Sequence, residues 1–133
     1  MFNRIGAVIL LVSDMKESME FYKDVLGMEL KQQAEDWIEF FKQGTVLALH
    51  PTKKKKKLTK NISMLIGFNI SDLESLCSDL ERKKVKFHKK LSNEVFGKHA
   101  IIKDPDGHLI SLTEIISKEE YRQIPYYHGF APA

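Results

Sequence analysis

Cysteine is nearly absent: Cys77 is the single one in 133 residues. An intrachain disulfide and a cysteine-based metal cluster are therefore both excluded. Flanked by Leu76 and Leu80, this thiol reads as core packing on a helix face. Long apolar runs are missing too. The longest, Ile5 to Val12, falls far short of the ~20 residues that a membrane-spanning helix needs. No cleavage-like site follows it, so it reads as a buried strand rather than a signal peptide, and the expected location is the cytoplasm, away from membranes. There is also no acidic run, and the excess of positive charge is local. Lys53 to Lys57 are consecutive lysines, followed by Lys60, in a chain whose net charge is +3. No aromatic residue interleaves with them and no recognition motif is present, so nucleic acid is not an expected partner. The run reads as a solvated, self-repelling linker or, alternatively, as an anion-steering patch. What remains is 43% hydrophobic and 29% charged, which places the chain among folded soluble proteins and not disordered ones.

The order of elements is the most informative feature. Ile5 to Val12 is an apolar strand. Asp14 starts a helix, with Glu17 three residues on in capping-box spacing, and Gly27 supplies its stop. Extended segments follow near 28–34, 36–42 and 45–50, the last two joined by a tight turn at Gln43-Gly44. Pro51 and the lysines make a linker over 51–61. The same order then returns: a strand over Ile62 to Ile70, a helix begun by a capping box of Ser71 and Glu74, and strands over Val85 to Leu91, Val95 to Lys103 and His108 to Ile115. Asp104-Pro105-Asp106-Gly107 marks the last turn. Val12-Ser13-Asp14-Met15 matches Ile70-Ser71-Asp72-Leu73, and Gly44 with Val46-Leu47-Ala48-Leu49 matches Gly107 with Leu109-Ile110-Ser111-Leu112. Both matches lay one βαβββ module onto another. The expected fold is α+β: two tandem βαβββ modules, about 4–50 and 62–116, forming a cup-shaped mixed β-sheet with the helices outside, in one domain with a tail over 117–133.

Two motifs bring a family into view. Phe21-Tyr22-Lys23-Asp24-Val25-Leu26-Gly27 resembles the first-helix signature of the vicinal-oxygen-chelate superfamily of glyoxalases, bleomycin-resistance proteins and extradiol dioxygenases. Asp104-Pro105-Asp106-Gly107 with His108-Leu109-Ile110-Ser111-Leu112 resembles its final hairpin. The resemblance implies four strand positions that hold a divalent metal in metal-dependent members, and they fall here at Ala7, Ala48, Leu65 and Ser111. None is a His, Glu or Gln. The resemblance therefore points to the metal-free, ligand-sequestering members, with no metal and no other cofactor expected, and to a homodimer.

Alternation along strands predicts what lines the cup. If Ala48 faces inward, so do Val46 and His50. Across the Gln43-Gly44 turn, Glu39 falls opposite Ala48, Trp37 opposite His50 and Phe41 opposite Val46. Ile9, Leu11, Gly67, Asn69, Leu109, Ser111 and Thr113 share that face, with Ala100 and Lys98 across the second hairpin, whereas His99 and Glu114 are assigned to the opposite face. The candidate ligand-binding residues are thus Trp37, Glu39, Phe41, His50, Asn69, Lys98, Ser111 and Thr113. The aromatic tail adds Tyr126 and Tyr127 if it acts as a lid; the alternative is a strap over an apolar surface or a partner subunit. Glu39 and His50 are the weak catalytic candidates, as acid and base or as unanticipated metal ligands. The ligand that suits such a surface is aromatic or amphipathic, and neutral or anionic. Cationic bleomycin fits poorly. The competing possibilities are an enzyme built on Glu39 and His50, and an interaction module whose cup is filled by Phe41 and Leu65.

Overall fold

The computed structural model describes residues 2–53 and 64–115. The chain divides into two compact units, Met1–Leu58 and Thr59–Ala133, and each carries a four-stranded mixed sheet, so the fold is α+β.

In the first unit β1 (Ala7–Val12) runs parallel to β4 (Val46–Pro51), and β3 (Trp37–Phe40) and β2 (Leu30–Ala34) complete the order β1-β4-β3-β2. Helix α1 (Met15–Glu20) continues into a π-helical turn over Phe21–Val25. Asp14 caps it, its carboxylate accepting the Glu17 N–H at 3.1 Å, and Gly27 ends it with φ 71°, a conformation that favours glycine. The helix drives Tyr22 into the sheet, its ring centroid 6.0 Å from that of Phe40. One sheet face thus packs on the helix through buried Leu10, Val12, Ile38, Phe40, Leu47 and Leu49. The other face carries Ala7, Ile9, Leu11, Trp37, Glu39, Ala48 and His50.

The second unit repeats this plan with β5 (Ile66–Asn69), α2 (Leu73–Arg82), β6 (Phe87–Glu94), β7 (Gly97–Lys103) and β8 (Leu109–Ile115), in the order β5-β8-β7-β6. Its N-cap corrects the sequence expectation. Asp72, not Ser71, is the cap, and its carboxylate accepts the Ser75 N–H at 3.1 Å. Glu74 turns away to Lys98, 3.2 Å distant. The repeat explains the choice, since Asp72 is the counterpart of Asp14. A second carboxylate supports the same helix start: Glu114 accepts the Leu73 N–H at 2.8 Å, satisfying another of the donors that a helix terminus leaves open. At the far end Lys84 adopts φ 62°. The Val85 N–H reaches the Leu80 carbonyl and the Lys84 N–H the Glu81 carbonyl, both at 3.0 Å. This is a Schellman closure with lysine where glycine is usual.

Register separates the two hairpins. In the first, Glu39 pairs with Ala48 and Phe40 with Leu47, the register that a turn centred on Gln43-Gly44 dictates. Pairing ends there, because Phe41 turns to φ 74° and gives its N–H to the Glu29 carbonyl. Phe41 therefore leaves the ladder and is not a strand partner of Val46. In the second hairpin Lys103 pairs with Leu109, Ile101 with Ser111 and His99 with Thr113. Five residues fill the loop, held by the buried Asp104, whose carboxylate accepts the N–H groups of Asp106 at 3.0 Å and His108 at 2.7 Å. That register stands one residue away from the expected one, and such a slip exchanges faces. His99 and Ile101 share the face of Ser111 and Thr113, whereas Lys98 and Ala100 lie on the helix side with Glu114.

Candidate functional site

On the helix-free face of the first sheet, the cross-strand neighbours Gln32 and Glu39 set the centre. The Glu39 carboxylate accepts the Gln32 amide at 2.9 Å and the Trp37 indole N–H at 2.8 Å, with Lys31 Nζ 3.9 Å away. Trp37 and Glu39 are two apart on one strand, so their side chains stand together, and the carboxylate fixes the indole plane. Beyond the indole lies His50, at a ring distance of 5.8 Å. Its Nδ1 lies 3.0 Å from the Asp36 carbonyl oxygen. A carbonyl only accepts, so Nδ1 carries the proton and Nε2 presents a lone pair. Glu39 and His50 are thus brought onto one face but bond to other partners, with Trp37 between them. Ile9 and Leu11 on the same face are 51% and 52% exposed, which leaves apolar surface in reach of the indole and imidazole.

The second sheet presents a different set. Ser111 and His99 are fully buried, and His99 Nε2 lies 2.7 Å from Ser111 Oγ. Lys89 Nζ stands 3.3 Å from His99 Nδ1 and 2.9 Å from the Glu94 carboxylate, which also accepts the Ser92 hydroxyl at 2.9 Å. An ammonium group has only donors, so Nδ1 accepts from Lys89 and Nε2–H donates to Ser111. Burial holds the His99 pKa below the ordinary imidazole value, and the neighbouring Lys89 charge lowers it further. The Lys89 and Ser92 bonds hold Glu94 below the usual carboxylate range. The Phe96 ring meets the imidazole in a T-shaped contact, with ring centroids 6.0 Å apart. The Ser–His contact resembles a nucleophile pair, but its proton runs from the imidazole to the hydroxyl, the reverse of what base activation needs.

Of the remaining candidates, Asn69 is exposed on β5 and pairs with Thr113. Lys98 is drawn to the helix side by Glu74, which raises its pKa, and it does not share a face with Ser111. Tyr126 and Tyr127, Lys54 to Lys57 and the whole tail lie outside the described residues. His99 was missed from the sequence because one residue of loop length decided its face. The signal lay in Asp104, whose side chain can bond the backbone further along the loop and widen a turn.

The implied metal positions can be judged on their donors. Ala7 and Ala48 lie on the helix-free face of the first sheet, Ser111 on that of the second, and Leu65 just precedes β5. Three have no donor atom, and the Ser111 oxygen is taken by His99. A neutral hydroxyl is a poor replacement for carboxylate or imidazole. These residues do not fit a divalent cation. Among the described residues no group of three or more His, Cys, Asp or Glu is placed to hold one elsewhere, and no helix there is long and apolar enough to cross a membrane.

Comparison with known proteins agrees with this architecture. The uncharacterized protein YraH of Bacillus subtilis (strain 168) is 30% identical over 121 residues, covering 80% of this chain and 94% of its own. A glyoxalase/dioxygenase from Nostoc punctiforme superposes with a TM-score of 0.73 at 18% identity, over 87% of this chain and 93% of that one. A glyoxalase/bleomycin resistance protein/dioxygenase from Alicyclobacillus acidocaldarius gives 0.71 at 18% identity, over 89% and 96%. Residues 4–112 match the sequence profile of the Glyoxalase/Bleomycin resistance protein/Dioxygenase superfamily. With the duplicated βαβββ plan and the two motifs that frame it, the chain belongs to that superfamily.

Proposed function

We propose that this protein binds a small organic ligand on the helix-free faces of its sheets, without the divalent metal that the superfamily's enzymes employ. One observation carries the reading: the four ligand positions hold Ala7, Ala48, Leu65 and Ser111, while the surrounding faces keep an oriented indole, an imidazole and buried hydroxyls. Trp37, held edge-on by Glu39, offers a flat apolar plane, and His50 offers an acceptor beside it. An aromatic or amphipathic ligand, neutral or anionic, suits that chemistry. A cytoplasmic homodimer is the form in which we expect it to act. The test is elemental analysis of protein purified without chelators or a metal-carrying tag, followed by titration with nickel, manganese and zinc. Less than about a tenth of an equivalent and no saturable binding supports the reading. Near one equivalent per chain overturns it.

A second reading, an enzyme using Glu39 and His50, is favoured by the His50 tautomer, whose Nε2 lone pair is set for proton abstraction. The two hydrogen bonds that occupy Glu39 weigh against its role as an acid. Replacing Glu39 and His50 by alanine abolishes any turnover found if this reading holds, and an unchanged rate removes it.

A further inference from the structure

The hydrogen bonds of the second sheet leave a remainder. Thr113 is 2% exposed, and its Oγ1 has no hydrogen-bond partner among the described residues. A buried hydroxyl left unpaired costs about 1–3 kcal/mol, and folded proteins carry few of them. Two residues back on the same face of β8, Ser111 Oγ receives the Nε2–H of His99. That direction is set by Lys89 on the opposite ring nitrogen. The Ser111 oxygen is thus already an acceptor, and its own hydrogen has no acceptor among the described residues. Two buried hydroxyls stand side by side on one strand with their donors unspent. The adjacent strand β5 sets Gly67 beside Ser111 and Asn69 beside Thr113. Both of these are exposed, and Gly67 places no side chain beside the serine.

Donors without acceptors call for a ligand that accepts. Neighbouring positions on one strand face are about 6.7 Å apart, whereas a single oxygen bridging two hydroxyls reaches only about 5.4 Å at ordinary hydrogen-bond lengths. A group with two oxygens closes that gap. The chain Lys89 to His99 to Ser111 polarises the serine hydroxyl in the same sense, since each bond donates toward the next. Ile101 and Leu109, on the same face, are buried and apolar, so the two hydroxyls lie in a low-dielectric surround where a bond to a charged acceptor is strengthened.

We propose that the Ser111 and Thr113 hydroxyls bind the carboxylate of a small organic acid, with the rest of the ligand lying over the exposed Gly67 of the neighbouring strand. This rests on the ligand-binding reading above and narrows it to an acid.

The experiment is a titration of the full-length, isotopically labelled protein with benzoate, acetophenone, toluene and benzylamine, followed by the backbone amide signals of Ser111 and Thr113. Benzoate is expected to shift both signals saturably, acetophenone more weakly, and toluene and benzylamine not at all. Thr113→Val and Ser111→Ala should each weaken benzoate at least tenfold. Thr113→Val should also raise the melting temperature of the ligand-free protein, because it removes an unpaired buried hydroxyl at nearly constant volume, so weaker benzoate binding by this variant cannot be laid to unfolding. Equal binding of all four probes overturns the carboxylate assignment and leaves ligand binding standing, as does benzoate binding that survives both substitutions. Absence of any saturable shift overturns both.

Discussion

The two halves of the molecule share a topology and part company in how they spend two histidines. In the first sheet His50 gives Nδ1–H to the Asp36 carbonyl and keeps a lone pair beside a tryptophan and half-exposed Ile9 and Leu11. In the second, His99 is buried, takes a proton donor from Lys89 at one nitrogen and donates to Ser111 at the other. The first arrangement leaves an acceptor and an apolar surface accessible. The second passes donor character inward to hydroxyls. A duplicated module thus acquires two chemically opposite faces without any change in strand order. What distinguishes them is which group each imidazole nitrogen meets.

The largest difference between the two halves is expected at the second hairpin. Asp104→Ala removes the carboxylate that accepts two part-buried loop N–H groups, one at 2.7 Å. A loss of about 1–3 kcal/mol in urea unfolding is expected, larger than from losing Glu29, whose carboxylate accepts a single N–H of the first hairpin's loop, that of Lys42 at 3.2 Å.

The His99 environment should show as a pH slope. Its folded pKa lies below the unfolded value of about 6.5, so unfolding takes up a proton in the interval between them. Stability is fully present above that unfolded value and falls as pH drops toward the folded one. His99→Gln should flatten this dependence in a series of melting curves across the interval.

Smaller effects test the helix starts. Asp14→Ala and Asp72→Ala should each cost about 1 kcal/mol, while Ser71→Ala should cost almost nothing. A large loss from Ser71→Ala would show that the repeat had been aligned at the wrong residue.

The smallest effect has the opposite sign. Lys84→Gly places glycine where Gly27 stands in the first unit and should stabilise by about 0.5–1 kcal/mol. A decrease in the denaturation midpoint would contradict the Schellman assignment.

Much of the fold was legible because apolar alternation and helix caps recur at matching places. The pairing of Glu39 with Ala48 followed from two turn residues and simple alternation. The helix-free placement of Ser111 and Thr113 followed in the same way. His99 did not, since its face depends on whether the turn closes within Asp104-Pro105-Asp106-Gly107 or includes His108, and only the Asp104 carboxylate decides that. Ser71 displaced Asp72 as the expected cap because both are good capping residues one position apart. The partner of Glu39 was also out of reach: nothing in the strand pattern distinguishes a carboxylate facing His50 from one held by the neighbouring indole.

The bond between that indole and Glu39 has a practical consequence. Trp37 is the only tryptophan in the chain, and it belongs to the first unit, so its emission follows the unfolding of that half. If both halves come apart in one cooperative step, a substitution in the other half, such as Asp104→Ala, moves the fluorescence midpoint together with the circular dichroism. A midpoint that stays in place while circular dichroism shifts would reveal a chain that melts in stages.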